Sequence, residues 1–389
     1  MKPDPTHYDG RAQAFVKHTF LSHYLPALCQ KVSSVFDNFV YIDGFAGPWK
    51  ASDTDSYSDT SFGIALDAMG AAQDFQKTRG RVVKMTAFLV EKDPAAFSEL
   101  EKLAARHIDL DVRPLAGRFE DHLSAMALAI PKGAFVFSLI DPKGMKLDLR
   151  NLHGLLARAN SEVLINFMYD FVSRFVDHPN EAIIDNMKAL IPHIEWDELI
   201  GHQRKASSTQ ARENLIVDAF RAAVKREGNF KYVPSITVQK TLADRTLYHL
   251  VFGSRSHSGL EVFRSSQVKA LSVQADVRSK AKDQKQVNAT GQGSLFGGAD
   301  RLASEFSTQA IDCGAKNGLQ YAKQIICSSS QGIMWKDLWP QVLDEFVITT
   351  SSLGRGINDL RKLGIVTAPG WPSKQKVIPL ENQLLIILP

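Results

Sequence analysis

Cysteine is scarce. The three in 389 residues, Cys29, Cys313 and Cys327, are odd in number and fall in no metal-ligand spacing. That excludes a disulfide framework, argues against a zinc or other metal site, and assigns all three to packing in a reducing compartment. Long hydrophobic runs are also missing: no stretch reaches the roughly 18 apolar residues of a membrane span. The opening MKPDPTHYDGRAQAF lacks the basic-then-apolar layout of a secretory signal. The expectation is a soluble, cytoplasmic protein with no membrane partner. Neither Gly-x-Gly-x-x-Gly nor Gly-Lys-Ser/Thr occurs, which removes the usual dinucleotide and P-loop phosphate sites. Charge of one sign is not in large excess either. The net charge of +4 is compatible with a polyanionic partner without establishing one.

The chain is long enough for a full α/β domain and a smaller companion, with 44% hydrophobic residues to build their cores. From Ala14 to Val35, Phe15, Leu21, Leu25, Leu28 and Val32 recur at helical spacing. Strand patterns follow at 39–42, 85–90, 110–114, 134–140 and 163–167, separated by helical segments such as PAAFSELEKLAARH and LRNLHGLLARAN. Alternating strands and helices predict a parallel sheet with right-handed crossovers. A mostly helical insertion spans about 170–228. Beyond it, two strand patterns joined by a turn at Ala243 and Asp244 predict a closing hairpin, the finish of a seven-stranded methyltransferase sheet rather than of an ordinary dinucleotide fold.

The first strand runs into Asp43-Gly44-Phe45-Ala46-Gly47. A glycine turn lets a ligand approach the backbone closely, and a carboxylate there suits a cation rather than a phosphate. An amino-acid ligand with an ammonium group meets both conditions, S-adenosylmethionine being the candidate. Glu91 ends strand two, where a carboxylate can accept both ribose hydroxyls. Phe119, Glu120 and Asp121 follow strand three, where the adenine is expected. The plain alternative is a turn acid at Asp43 and a tight turn at Gly44 and Gly47 with no ligand.

Strand four ends in Asp141-Pro142-Lys143-Gly144. In amino-group methyltransferases an Asp/Asn-Pro-Pro-aromatic turn here orients the target nitrogen. Asp141 and Pro142 fit that pattern, whereas Lys143 and Gly144 depart from it, and a strand-ending turn is the alternative. Cytosine C5 chemistry is excluded because no cysteine lies between Cys29 and Cys313. Catalysis is therefore assigned to Asp141, Pro142 and Lys143, and cofactor binding to Asp43, Gly44, Phe45, Ala46, Gly47, Glu91, Phe119, Glu120 and Asp141. His18, His249 and His257 read as structural or solvent-facing. The Asp59 to Phe62 run reads as a helix cap.

KHTFLSHYL, YIDGFAGP, DTSFGIAL, DPKG and YHLVFGSRSHSGLEVF together resemble the three-Cys-motif partner protein family, TcmP, over roughly residues 10–270. The resemblance implies a methyltransferase-like domain that works beside a radical-SAM-like protein bearing three cysteines. Trp49 stands where that family usually has a third glycine, and Lys143 where it usually has an aromatic.

The expected fold is α/β: a Rossmann-like seven-stranded class I methyltransferase domain over 1–272, a flexible linker over 273–300, and a C-terminal winged helix over 301–389. The linker reading rests on its polar, glycine-containing composition. In the tail, a helix from Trp335, a second helix capped by Thr350 or Ser351 and ending at Gly364, and strands near Ile365 and Val377 are expected. The second helix would present Arg355, Arg361 and Lys362 to a nucleic acid, DNA first. Gln292, Leu295 and Phe296, in QGSLF, resemble the peptide by which bacterial proteins dock on the sliding clamp. Two function classes stay open: a methyltransferase acting on nucleic acid, and a non-catalytic binding or adaptor protein on the same fold.

Overall fold

The computed structural model describes residues 3–8, 10–47, 51–53, 57–142, 144, 146–176, 178, 180–290, 302–371 and 378–387. They fall into two compact units, Met1–Arg255 and Ser256–Pro389.

In the first unit, helix α1 (Ala12–Ser33) leads into β1 (Asn38–Asp43). Then come α2 (Ser61–Thr78), β2 (Lys84–Glu91), α3 (Pro94–Ala104), β3 (Asp111–Ala116), α4 (Phe119–Ala129) and β4 (Phe135–Ile140). A 3-10 turn (Leu149–Leu152) and the short α5 (His153–Leu156) precede β5 (Ser161–Phe167). The insertion contributes α6 (Tyr169–Phe175), α7 (Glu181–Leu190), α8 (Trp196–Lys205) and α9 (Thr209–Gly228) before the hairpin β6 (Ser235–Gln239) and β7 (Thr246–Gly253). The seven strands form one sheet in the order β3-β2-β1-β4-β5-β7-β6, parallel except for β7. This is the expected α/β fold with its antiparallel finish. The segment LRNLHGLLARAN is less helical than its pattern suggests, because two short turns replace one helix.

The sheet is covered on both faces, so its central strands are buried along nearly their whole length and mostly apolar rather than alternating. Val40, Ile42, Val136, Ile140, Val163 and Ile165 belong to one core with Leu123, Leu152 and Phe220. On alternate positions, Phe137 and Phe252 meet Tyr24 of α1 at ring distances of 5.5 and 5.4 Å. Pro114 sits on β3, an edge strand, where the missing N–H costs no ladder bond on the open side. Thr60 caps α2 by accepting from the Gly63 N–H at 3.1 Å, as expected of that run.

In the second unit, α10 (His257–Thr290) is followed by α11 (Phe306–Ser328), β8 (Ile333–Met334), α12 (Trp335–Glu345), α13 (Thr350–Lys362), β9 (Val366–Thr367) and β10 (Leu384–Ile387). The three strands pair in the order β8-β10-β9. Several expectations are corrected. The boundary at 272 falls inside α10, and residues 273–290 of the expected linker are helical, with Gln274, Ala275, Arg278 and Ser279 buried. Residues 291–300, including Gln292, Leu295 and Phe296, lie outside the described residues. The cap of α13 is Thr349, which accepts from the Ser352 N–H at 3.1 Å, rather than Thr350 or Ser351. The strand expected at Val377 also lies outside the described residues, and β9 pairs instead with residues 384–387. Cys29 is buried as expected, whereas Cys313 and Cys327 are exposed rather than packed in the core.

Candidate cofactor and acceptor site

In a parallel sheet the loops after the strand C-termini share one edge, which is where ligands of open α/β folds bind. Here that edge holds a cavity of about 360 Å³, within the range of small-molecule sites. Its wall includes Gly44 and Phe45 after β1, Glu91 ending β2, Phe119 and Glu120 after β3, and Asp141 and Pro142 after β4. Seven of the expected cofactor and catalytic residues are therefore brought together. Lys143 lies outside the described residues.

Glu91 is buried, and its Oε1 accepts from the Asp93 backbone N–H at 2.6 Å. Among the described residues its Oε2 has no hydrogen-bond partner. Gly117, missed in the sequence, turns the chain after β3 at φ +127°, a conformation that favours glycine, and its N–H donates to the Glu91 carbonyl at 2.9 Å. The turn delivers Phe119, which is 1% exposed and lies 5.8 Å from the Phe45 ring. A Cβ on Gly44 would meet the Phe119 ring at 3.0 Å. Gly44 is thus demanded by an aromatic neighbour, rather than only by a ligand. Asp121 is exposed and takes no part in the cavity wall.

Asp43 serves the turn itself. It is fully buried and is not part of the cavity wall. Its Oδ2 accepts from Ser61 Oγ at 2.7 Å and the Tyr41 hydroxyl at 3.1 Å, and Oδ1 accepts from the Phe45 N–H at 3.1 Å. Burial pushes its carboxyl pKa up, while Ser61, the Phe45 N–H and the charge of Lys17 pull it back. The Gly44 N–H donates to Leu139 of β4 and the Ala46 N–H to Val90 of β2, so the turn is tied to both neighbouring strands. Gly47 follows, outside the cavity wall.

Asp141 is the centre of a polar group that the sequence did not reveal. Lys17 of α1 lies 2.5 Å from its Oδ2, and Asn166 near the end of β5 donates through Nδ2 to Oδ1. Because a carboxylate only accepts, the Asn166 amide must present Nδ2 to it, which fixes where Oδ1 is. That Oδ1 is buried and, among the described residues, has no hydrogen-bond partner. Lys17 was visible as part of a motif. Asn166 carried no local signal, since its role depends on β5 lying beside β4.

The expected structural histidines sit in structural roles: His249 pairs with Glu213 at 2.9 Å, and His18 is buried against the Tyr8 hydroxyl at 2.9 Å. In the second unit Arg355 is exposed, but Arg361 donates to Asn358 Oδ1 and lies 4.9 Å from the Trp371 ring centre. Lys362 pairs with Asp359 at 3.5 Å.

No family model and no curated protein matches the chain. Among solved structures, a loganic acid methyltransferase with SAH aligns over 79% of this chain and 92% of its own, at 10% identity and a TM-score of 0.31. A likeness at that level says nothing of activity or substrate. Among the described residues, no helix is long and apolar enough to cross a membrane.

Proposed function

We propose that the cavity of the first unit binds S-adenosylmethionine and that the chain transfers its methyl group to a nitrogen of a nucleic acid. Glu91 is the observation that carries the reading. A buried strand-end carboxylate with one oxygen anchored and the other unpartnered suits a vicinal diol, which donates two hydrogens. Phe119 and Phe45 offer apolar faces for adenine, and Gly44 keeps the floor low. The expectation that Asp43 meets the ammonium is replaced by an indirect role, shaping the turn through Phe45.

Bound there, S-adenosylmethionine would supply an electrophilic methyl group on a positively charged sulfur. Asp141 and Asn166 would do the orienting. An amino nitrogen donates its hydrogens to acceptors, and the Asp141 carboxylate, held by Lys17 and Asn166 at the cavity wall, would be the acceptor. Asn166 acts through Asp141, fixing the plane of its carboxylate from the end of β5. Holding the nitrogen through its hydrogen aims its lone pair, and alignment of this kind accounts for much of a transfer that needs no covalent help.

The second unit supports a nucleic-acid partner through its order of elements: helix, short strand, two helices, then two strands, with the last strand between the others. That is the order of a winged helix. Arg355 and Lys362 are both exposed on α13, and since Lys362 pairs with Asp359, Arg355 is the cation proposed for a phosphate. A three-Cys-motif partner protein and the sliding clamp are further partners that the sequence proposes.

Calorimetry tests the cofactor. Wild type is expected to bind S-adenosylmethionine, and Glu91→Ala to weaken it by about 1–3 kcal/mol, the usual cost of removing one partner of a buried hydrogen bond. Equal binding by both proteins sinks the site. Incubation with labelled cofactor and mixed nucleic acids tests the reaction, with Asp141→Asn keeping cofactor affinity and losing transfer. Binding without any transfer by wild type would favour the adaptor reading.

A further inference from the structure

We infer that α6 and the β6–β7 turn form a phosphate-binding cluster that holds the backbone of the acceptor strand beside Asp141; this rests on the proposed acceptor role of Asp141. The cluster is built around Asp170, which is buried with its side chain 7% exposed. Three cations crowd it: Arg174 Nη2 at 2.9 Å, Lys240 Nζ at 3.0 Å and Arg245 Nη2 at 2.8 Å. A buried carboxylate needs one cation to balance it. With Asp244 in the same turn counted as well, the group still carries an excess of positive charge.

The two arginines are more than half exposed, each side chain at 54%. Arg174 commits Nε to the Asp170 carbonyl and Nη2 to its carboxylate, which leaves Nη1. Arg245 commits less. Asp170 Oδ1 has no hydrogen bond despite its closeness, so the Arg245 contact is an ion pair without hydrogen-bond alignment. Among the described residues none of the Arg245 guanidinium N–H groups is in a hydrogen bond. A planar fork of donors, held in place by charge and aimed elsewhere, is suited to a phosphate.

Two chain paths set the cluster next to the candidate reacting centre. Asp170 lies four residues beyond Asn166, which holds Asp141. On the other side, Gln13 of α1 donates to Thr241 Oγ1 in the β6–β7 turn at 3.0 Å, and the Tyr248 hydroxyl donates to the Gln13 carbonyl at 2.7 Å. Lys17, four residues along the same helix and so about 6 Å further, is the residue on Asp141. The cluster and Asp141 therefore share the C-terminal edge of the sheet, the cluster beside the β5 end and Asp141 at the β4 end. A phosphate there would place its neighbouring base at the end of β4.

The test uses the full-length protein and a labelled single-stranded oligonucleotide, with anisotropy measured across a salt series and cofactor calorimetry in parallel. Arg174→Ala with Arg245→Ala is expected to lose roughly tenfold in oligonucleotide affinity, and the log–log salt slope to fall by about 1.4, as for two lost phosphate contacts on a single strand. Affinity for S-adenosylmethionine should stay at the wild-type value, which also shows that the variant is folded. The Lys pair at the same positions should retain most of the slope. Asp170→Asn should bind the oligonucleotide more tightly, because the counter-charge is gone. Wild-type affinity and slope in the double Ala variant overturn the cluster, as does a wild type that binds the cofactor but no oligonucleotide. Loss of cofactor binding by wild type would instead overturn the cofactor reading and leave the oligonucleotide result to decide the cluster.

Discussion

His18 shows how burial decides the charge of a single residue. Desolvation, with Lys17 and Arg11 close by, holds its pKa well below 6.5. Burial also pushes the Tyr8 phenol up, so Tyr8 stays protonated and donates to Nδ1 of a neutral ring. In the unfolded chain the same histidine titrates near its ordinary value. A depressed folded pKa means that its contribution is complete above about pH 6.5 and is lost as pH falls below it. Wild type is expected to lose about 2 kcal/mol relative to His18→Gln between about pH 7 and about pH 5, read from urea midpoints, the slope steepening toward about 1.4 kcal/mol per pH unit below about pH 6.5. Parallel curves for the two proteins would show that the ring is charged in the fold. Gly44→Ala is the second residue-scale case. The new Cβ would press on a ring that is 1% exposed and already against Phe45, so a loss of about 1–3 kcal/mol in denaturant stability is expected. No change would show that Phe119 can retreat. Residue identity made Asp43, Glu91 and Asp141 legible in the sequence, but not their partners. Asp43 reads as a ligand-facing acid until Ser61, Tyr41 and Phe45 are seen to surround it.

At the scale of elements, α10 carries the main lesson. The stretch 273–290 looks like a linker because it is polar, yet it contains no glycine or proline until Gly291, and Ala, Arg, Lys and Gln are strong helix formers. Helix propensity together with tertiary packing therefore outweighs low hydrophobicity in this stretch. The decisive contacts are polar ones: Arg278, 2% exposed, donates to Glu305 at 2.8 Å, and Lys282 lies 2.6 Å from the other oxygen of that carboxylate. Removing one member of a buried ion pair leaves a charge in a poor environment, so Arg278→Ala is expected to cost about 3–5 kcal/mol in the stability of the second unit. The fluorescence of Trp335, fully buried there, provides the readout. A cost below about 1 kcal/mol would mean that Lys282 alone satisfies Glu305. The strands of the first unit were legible for the opposite reason. Runs such as FVFSLI and VLINF are apolar but for Ser138 and Asn166, which suits strands of a sheet covered on both faces.

For the whole molecule, cofactor binding and folding are linked, because a ligand that binds only the folded state stabilises it by mass action. At free S-adenosylmethionine roughly 100 times its Kd, the first unit should gain about 2.7 kcal/mol. Hydrogen exchange followed by peptide should show the gain in β1, β2 and β4, whose ends form the cavity wall. Unchanged exchange there would remove the cofactor site. The sequence by itself determined the α/β class, the antiparallel hairpin finish and the carboxylates at the ends of the strands, because periodicity and turn residues act over a few neighbouring positions. Only the tertiary structure decided that Asn166 and Lys17 converge on Asp141, that Phe119 lies against Gly44, and that Arg174, Lys240 and Arg245 gather on Asp170. Those contacts join residues as far apart as positions 17 and 141, and the order of strands in the sheet, which no local pattern encodes, brings them together.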